Sequence, residues 1–325
     1  MPFKNKINIK KILFVGLTFI VLISAVVFRY GNEIKSELRY FYWDIAKDIH
    51  RVKSSPAKVV NFYSDSLRIV GDLFEVENSE ESNPPCILLL HGSSPMGRKA
   101  AVIQILARKF MEKGYTVLAI DLRAYGDSED PPSYTAENFD FPKDVISAID
   151  YLIHDSQIDT NRIYIVGHSG GAGAAIGSIN EYGKINKAKK MVLLGPPRRV
   201  KERISEPNAK DRAYFLKRWK KDMDLHYDII FSEGEKIGKI EDIEDLVTMP
   251  NHTPLLLIDG EKESKEDLDY LKNLVARAIP PVDYWTIPGT GHYLSTKYIE
   301  NMLFYEGNAV DIFVDRVDNW LKKSK

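Results

Sequence analysis

From residue 57 onward the chain alternates between short unbroken apolar runs and stretches where apolar side chains recur every three or four residues. The first pattern belongs to strands covered on both faces, the second to amphipathic helices. KVVNFYS (58–64) and LRIVGDLFEVE (67–77) read as a β-hairpin turning at Asp65-Ser66, and NSEESNPP (78–85) as a polar loop. Strands are then predicted at CILLLH (86–91), YTVLAID (115–121), RIYIVG (162–167), KMVLLG (190–195), PLLLIDG (254–260) and VDYWTI (282–287). Helices are predicted over 99–113, 141–154, 170–182, 264–279 and 308–323, with Pro142 in the first turn of the second. Repeated strand-then-helix units imply an α/β fold with a mostly parallel central sheet and helices on both faces, the opening hairpin adding antiparallel strands at one edge.

Two regions break this rhythm. The gap from about 197 to 252 is too long for an ordinary connection and is predicted to be an inserted lid. At the other end, Lys4, Lys6, Lys10 and Lys11 precede Ile12–Phe28, 17 residues without a charge. As a helix this run would be about 25 Å long, the short end of a membrane span. It predicts a single-pass anchor, with the lysines cytoplasmic and the rest of the chain extracytoplasmic. A cleavable signal peptide with a site near Ala25 is the rival reading. Ile34, Leu38, Phe41, Ile45, Ile49 and Val52 then mark one face of an amphipathic helix. The expected organisation is an anchor over 1–30, a juxtamembrane helix over 31–57 and the main domain over 58–325.

Composition narrows the class. Apolar residues make up 44% and charged residues 28%, and the formal net charge of −1 gives no field that would collect nucleic acid. The single cysteine, Cys86, excludes an intrachain disulfide. The predicted lid is lopsided: Arg198 to Lys221 holds ten Lys/Arg against three acids, and Asp222 to Asp245 nine acids against two lysines. Solvated helix faces are the plain reading. RAYFLKRWKK (212–221) also has the mix of aromatic and basic residues suited to an anionic membrane or an acidic substrate.

The chemistry begins at IVGHSGGAG (165–173), where Gly167-His168-Ser169-Gly170-Gly171 fits G-x-S-x-G between a strand and a helix. Such a turn forces its serine into a strained conformation that exposes Oγ, and flanking glycines avoid collisions with nearby backbone. The Gly170 N–H is then free to bind a developing oxyanion.

With this elbow the chain resembles the α/β-hydrolase superfamily over roughly 58–195 and 254–323. LLLHGSSPMG (88–97) looks like the family's oxyanion loop, and DLRAYGDS (121–128) resembles its Asp-x-Arg-Gly-x-Gly-x-Ser segment with Ala124 where glycine is usual. GTGHY (289–293) resembles the histidine loop. The resemblance implies Ser169 as nucleophile, His292 as base and an acid after the seventh strand. Glu263 stands at that offset from Gly260, with Glu261 or Asp259 as substitutes. The oxyanion donors would be the N–H groups of Gly170 and Ser93, with Ser94 next. His91 is read as a buttress of the oxyanion loop and His168 as a variable position of the elbow. His50, His154, His226 and His252 are assigned surface or core roles.

The implied activity is that of a membrane-anchored serine hydrolase cleaving an ester, amide or thioester, a carboxylic ester first among them, from a small-molecule or lipid-like acyl substrate. Acyl transfer and a non-catalytic binding module are the alternatives. No H-E-x-x-H helix or phosphate-cradling loop is present, so neither a metal nor a cofactor is expected. The oligomeric state stays open.

Overall fold

The structure is a computed structural model that describes residues 57–76, 82–93, 96–132, 138, 140–154, 157–183, 186–198, 243–248, 253–279, 281–292, 294, 297–299, 302–304 and 308–323. The hairpin forms as β1 (Lys58–Ser64) and β2 (Leu67–Phe74), and Asp65 and Ser66 both take positive φ in its two-residue turn. There follow β3 (Cys86–Leu90), α1 (Ala101–Glu112), β4 (Thr116–Ile120), α2 (Phe141–His154), β5 (Ile163–His168), α3 (Gly170–Tyr182) and β6 (Lys190–Leu194). A short helix α4 (Ile243–Val247) precedes β7 (Leu255–Gly260), α5 (Lys265–Ala276), β8 (Val282–Ile287), a small hairpin β9 (Lys297–Ile299) and β10 (Met302–Phe304), and α6 (Ala309–Lys322).

Eight strands form one sheet in the order β1-β2-β4-β3-β5-β6-β7-β8. β2 is antiparallel to β1 and β4, and every pair from β4 to β8 is parallel. The continuous apolar runs serve two cores, one on each face. Leu88, Leu90, Ile163, Ile165, Met191, Leu193, Leu255 and Leu257 face α2, α3 and α5, where Val145, Ile149, Ala172, Ala175, Leu271 and Leu274 are buried. Their alternating neighbours Ile87, Leu89, Val166, Val192, Leu256 and Ile258 face α1 and α6, against Ile103, Leu106, Phe110, Phe313 and Val317. At about 25 cal/mol per Å² of apolar surface, these two layers are the main source of stability. They also fix the carboxyl ends of β3, β5, β6, β7 and β8 side by side, which is where ligands bind in open parallel sheets.

The expected membrane placement is corrected. No helix among the described residues is long and apolar enough to cross a membrane. The longest, α2 and α6, have 14 residues and spend their apolar faces on the sheet, where a span needs about 20 apolar residues. The stretch 12–28, on which the single-pass placement rested, and the amphipathic stretch of 31–57 before residue 57 lie outside the described residues. Most of the predicted insertion lies outside them too. Its described end, α4, buries Ile243 and Val247 in the same core as α3 and α5, and the Val247 carbonyl accepts from the Ile279 N–H at 2.9 Å.

Candidate active site

β5 runs directly into Ser169, whose φ of 51° and ψ of −116° lie outside the regions open to most side chains. A non-glycine residue held there costs about 1–3 kcal/mol, and the surroundings must supply it. One restraint is the Ser169 N–H, which donates to the Leu194 carbonyl at the end of β6, 2.8 Å away. Glycines make the tight turn possible. A Cβ on Gly167 would sit 2.9 Å from the backbone of Ala172, and one on Gly171 would strike the carbonyls of Leu90, at 2.7 Å, and His91. α3 therefore begins against the end of β3, with its free N–H groups over the turn.

The loop after β3 closes the other side. A Cβ on Gly92 would lie 3.1 Å from the Ser169 Cβ, and one on Gly170 would lie 3.3 Å from the Ser93 backbone nitrogen. Gly92-Ser93 and Ser169-Gly170 are thus neighbours across the site, and Ser93 is exposed toward solvent. Ser94 lies outside the described residues. His91 is buried; its Nε2 accepts from the Leu122 N–H at 3.1 Å and its Nδ1 donates to the Gly92 carbonyl at 2.6 Å. Both ring nitrogens are used in holding loops, and burial lowers its pKa so that the ring is neutral. Further along, Asp121 accepts from the Arg98 N–H at 2.6 Å and the Asp127 N–H at 2.9 Å, and pairs with the Arg98 guanidinium. Arg98 reaches Asp72 as well, at 2.9 Å. This buried charge cluster ties the segment after β3 to the ends of β2 and β4.

His292 enters from the loop after β8. Its Nδ1 lies 3.1 Å from Glu263 Oε1. The ring also rests on Gly195, which has a φ of +55°; a Cβ there would fall 2.6 Å from His292 Cε1 and 2.8 Å from its Nδ1. Gly195 follows the residue whose carbonyl holds the Ser169 N–H, so the imidazole and the Ser169 backbone are both anchored at the same end of β6. Glu263 itself follows the turn at Gly260, and its N–H donates to the Gly260 carbonyl at 3.1 Å.

The two substitute acids do other work. Asp259 is fully buried and accepts from both terminal nitrogens of Arg198, at 2.9 and 3.0 Å. Burial disfavours the Arg198 charge, yet the Asp259 carboxylate outweighs it and holds that pKa above the usual arginine value. Glu261 accepts from the Gly289 N–H at 2.8 Å and so braces the base of the histidine loop. Of the three acids, only Glu263 contacts the His292 ring among the described residues.

Sequence reasoning missed two neighbours of this site. Arg198 was grouped with the solvated basic run of the insertion, but it is 5% exposed and paired inside the protein. His168, taken as a variable elbow position, is buried, and its Nε2 is 2.9 Å from the His292 carbonyl. Its signal was available: the residue before the elbow serine ends a strand buried on both faces, so its polar atoms need internal partners. His154 sits at the exposed end of α2, its Nδ1 2.6 Å from the Asp150 carbonyl. His50, His226 and His252 lie outside the described residues.

A strand order of 1-2-4-3-5-6-7-8, with a strained serine after the fifth strand and a histidine loop after the eighth, is the α/β-hydrolase fold, and the family model shows that the chain belongs to that superfamily. Residues 82–264, more than half of the chain, match the family described as serine aminopeptidase, S33, and the chain is a member of it. The quorum-quenching protein AidA of Acinetobacter baumannii is 30% identical over 129 residues, which are 40% of this chain and 41% of AidA. The thiohydrolase aneE of Aspergillus aculeatus is 31% identical over 114 residues, 35% of this chain and 34% of its own length. The chain thus matches less than half the length of either relative. In three dimensions it is similar to a Pyrococcus furiosus esterase, with a TM-score of 0.58 at 19% identity over 82% of this chain and 91% of that one. It is also similar to Est1E of Butyrivibrio proteoclasticus with ferulic acid bound, with a TM-score of 0.54 at 16% identity over 81% and 97% of the two chains.

Proposed function

We propose that the chain is a serine hydrolase that cleaves a carboxylic ester, or a related thioester or amide, through an acyl-enzyme on Ser169. The observation that carries this reading is the Glu263 Oε1 to His292 Nδ1 contact of 3.1 Å. A carboxylate there keeps the proton on Nδ1, which leaves the Nε2 lone pair free to accept one.

In the proposed cycle Ser169 Oγ attacks the acyl carbon while His292 Nε2 takes its proton. The carbonyl oxygen becomes an oxyanion and accepts from the N–H groups of Gly170 and Ser93. The imidazolium, stabilised by Glu263, returns the proton to the leaving group as the carbon–heteroatom bond breaks. Water then repeats the attack: it gives one proton to His292, its oxygen joins the acyl carbon, and the carboxylic acid leaves as Ser169 regains its hydroxyl. Preorganised backbone donors matter because they meet charge only as it develops; one such donor contributes about 3 kcal/mol.

The esterases among the structural neighbours support an ester as first choice, and the thiohydrolase relative supports a thioester as the next. The test is covalent labelling by a fluorophosphonate together with turnover of p-nitrophenyl esters, acyl thioesters and p-nitroanilides. Wild type should be labelled and turn over esters fastest. Ser169→Ala should lose both while keeping the wild-type melting temperature. A labelled or active Ser169→Ala protein would overturn the assignment.

A further inference from the structure

We propose that His168 is a positioning residue: its Nε2–H donates to the backbone carbonyl of His292 and so holds the histidine loop against the nucleophile elbow. This rests on the hydrolase reading of Ser169 and His292. Three observations carry it. The Nε2 to carbonyl distance is 2.9 Å, between residues 124 apart in sequence. The two imidazoles lie with ring centroids 5.1 Å apart at 50°, so His168 meets both the backbone and the ring of His292. On its other edge His168 faces the oxyanion loop, where a Cβ on Gly92 would lie 2.9 Å from His168 Nδ1.

One buried ring therefore touches the three segments that must converge. It is covalently next to Ser169, it packs on Gly92 beside the Ser93 donor, and it bonds to the backbone of His292. The protonation logic is simple. A carbonyl oxygen only accepts, so Nε2 must carry the hydrogen. Burial, with the neighbouring His292 adding to it, pushes the His168 pKa down to about 3, so the ring is neutral near neutrality and its one ring hydrogen sits on Nε2. In the proposed cycle His168 exchanges no proton. It fixes where the His292 backbone sits, and from there where Nε2 of His292 points.

The test uses the wild-type chain and two variants. Ring nitrogen NMR of wild type at neutral pH should show His168 with its hydrogen on Nε2; a hydrogen on Nδ1 would overturn the proposal without any substitution. His168→Leu keeps the volume and loses the donor, and His168→Gln keeps a donor at similar reach. The leucine variant should lose about 30- to 100-fold in kcat on a p-nitrophenyl ester with KM changed less than about threefold, the pattern of a misplaced catalytic group. Its rate of fluorophosphonate labelling should fall in parallel. The glutamine variant should recover kcat to within about fivefold of wild type. A folded leucine variant with wild-type kcat, or equal losses in leucine and glutamine variants, would sink the proposal. Should the leucine variant fail to fold, the ring tautomer and the glutamine variant still decide. Retained activity in Ser169→Ala would instead sink the hydrolase reading and leave the tautomer result standing.

Discussion

Arg198 grips Asp259 with both terminal nitrogens, at 2.9 and 3.0 Å, at a point where neither side chain meets bulk water. The pair joins the chain leaving β6 to the carboxyl end of β7. Arg198 also reaches the Asp267 carbonyl in the first turn of α5, at 3.3 Å. It thereby spans the turn that carries Glu263. The pair should matter more when half broken than when removed whole. Arg198→Ala strands a buried carboxylate and is expected to lower stability by about 3–5 kcal/mol. The double substitution of Arg198→Met with Asp259→Leu should recover most of that loss. Urea unfolding of the single and double variants checks both. A loss under about 1 kcal/mol in the single variant would mean that the pair is open to solvent.

Glu263 should act on turnover and not on folding. Glu263→Gln keeps the size of the side chain, but its amide can present a donor to Nδ1 and favour the wrong tautomer. In the Ser-His-Asp template the equivalent change lowers kcat by about 10⁴, and a loss of about 10²–10⁴ is expected here. KM and the urea midpoint should barely move. The same change at Glu261, which braces Gly289, should have a much smaller effect on kcat. Steady-state kinetics of the two variants separates them, and equal losses would assign the acid wrongly.

Much of this arrangement was legible in the sequence because the physics is local. CILLLH and KMVLLG are short, nearly continuous apolar runs ending at a polar or glycine residue, as strands covered on both faces are, and β3 and β6 lie in mid-sheet. The glycines around Ser169 announce a turn no other residue could fill. Ala124 was legible as a departure from a glycine pattern, and it does take a φ of +63°. What stayed hidden is what depends on long-range pairing. Arg198 sits in a run of basic residues, and nothing within that run distinguishes the one that finds Asp259 after a separation of 61 positions. His292 stood out through its GTGHY loop, but nothing in the sequence paired it with His168; only the alignment of β5, β6 and β8 brings them together. The hairpin β9 and β10, with three residues per strand, is too short to leave a periodic signal.

Gly171 has no freedom to become alanine. The added methyl would meet the Leu90 carbonyl at 2.7 Å and the His91 carbonyl more closely still, and both are backbone atoms that cannot turn aside. Gly171→Ala should push α3 away from β3 and lower stability by about 1–3 kcal/mol. Because the same movement separates Gly170 from Ser93, kcat on esters should fall even at temperatures where the variant is fully folded. Circular dichroism melting and steady-state kinetics, run side by side, check the two effects. Unchanged values in both would mean that the elbow is looser than these distances allow.

The buried His168 should make the protein acid-sensitive over a defined range. Its folded pKa of about 3 lies below the ordinary histidine value of 6.5, so the unfolded chain binds a proton that the folded chain refuses. Stability is then greatest above pH 6.5 and falls as the pH drops from there toward 3, by up to about 1.4 kcal/mol per pH unit for one histidine. His91, whose pKa is also lowered by burial, acts in the same direction. Groups other than residue 168 titrate alike in wild type and in a His168 variant, so the difference between the two proteins reports on His168. His168→Gln removes one titrating ring and leaves His91 in place. From pH 7.5 to 5, wild type should lose about 2 kcal/mol more than the glutamine variant in urea unfolding. Parallel curves for the two proteins would mean that His168 takes up its proton in the folded state as readily as in the unfolded one, and that the ring is not sealed between the elbow and the histidine loop.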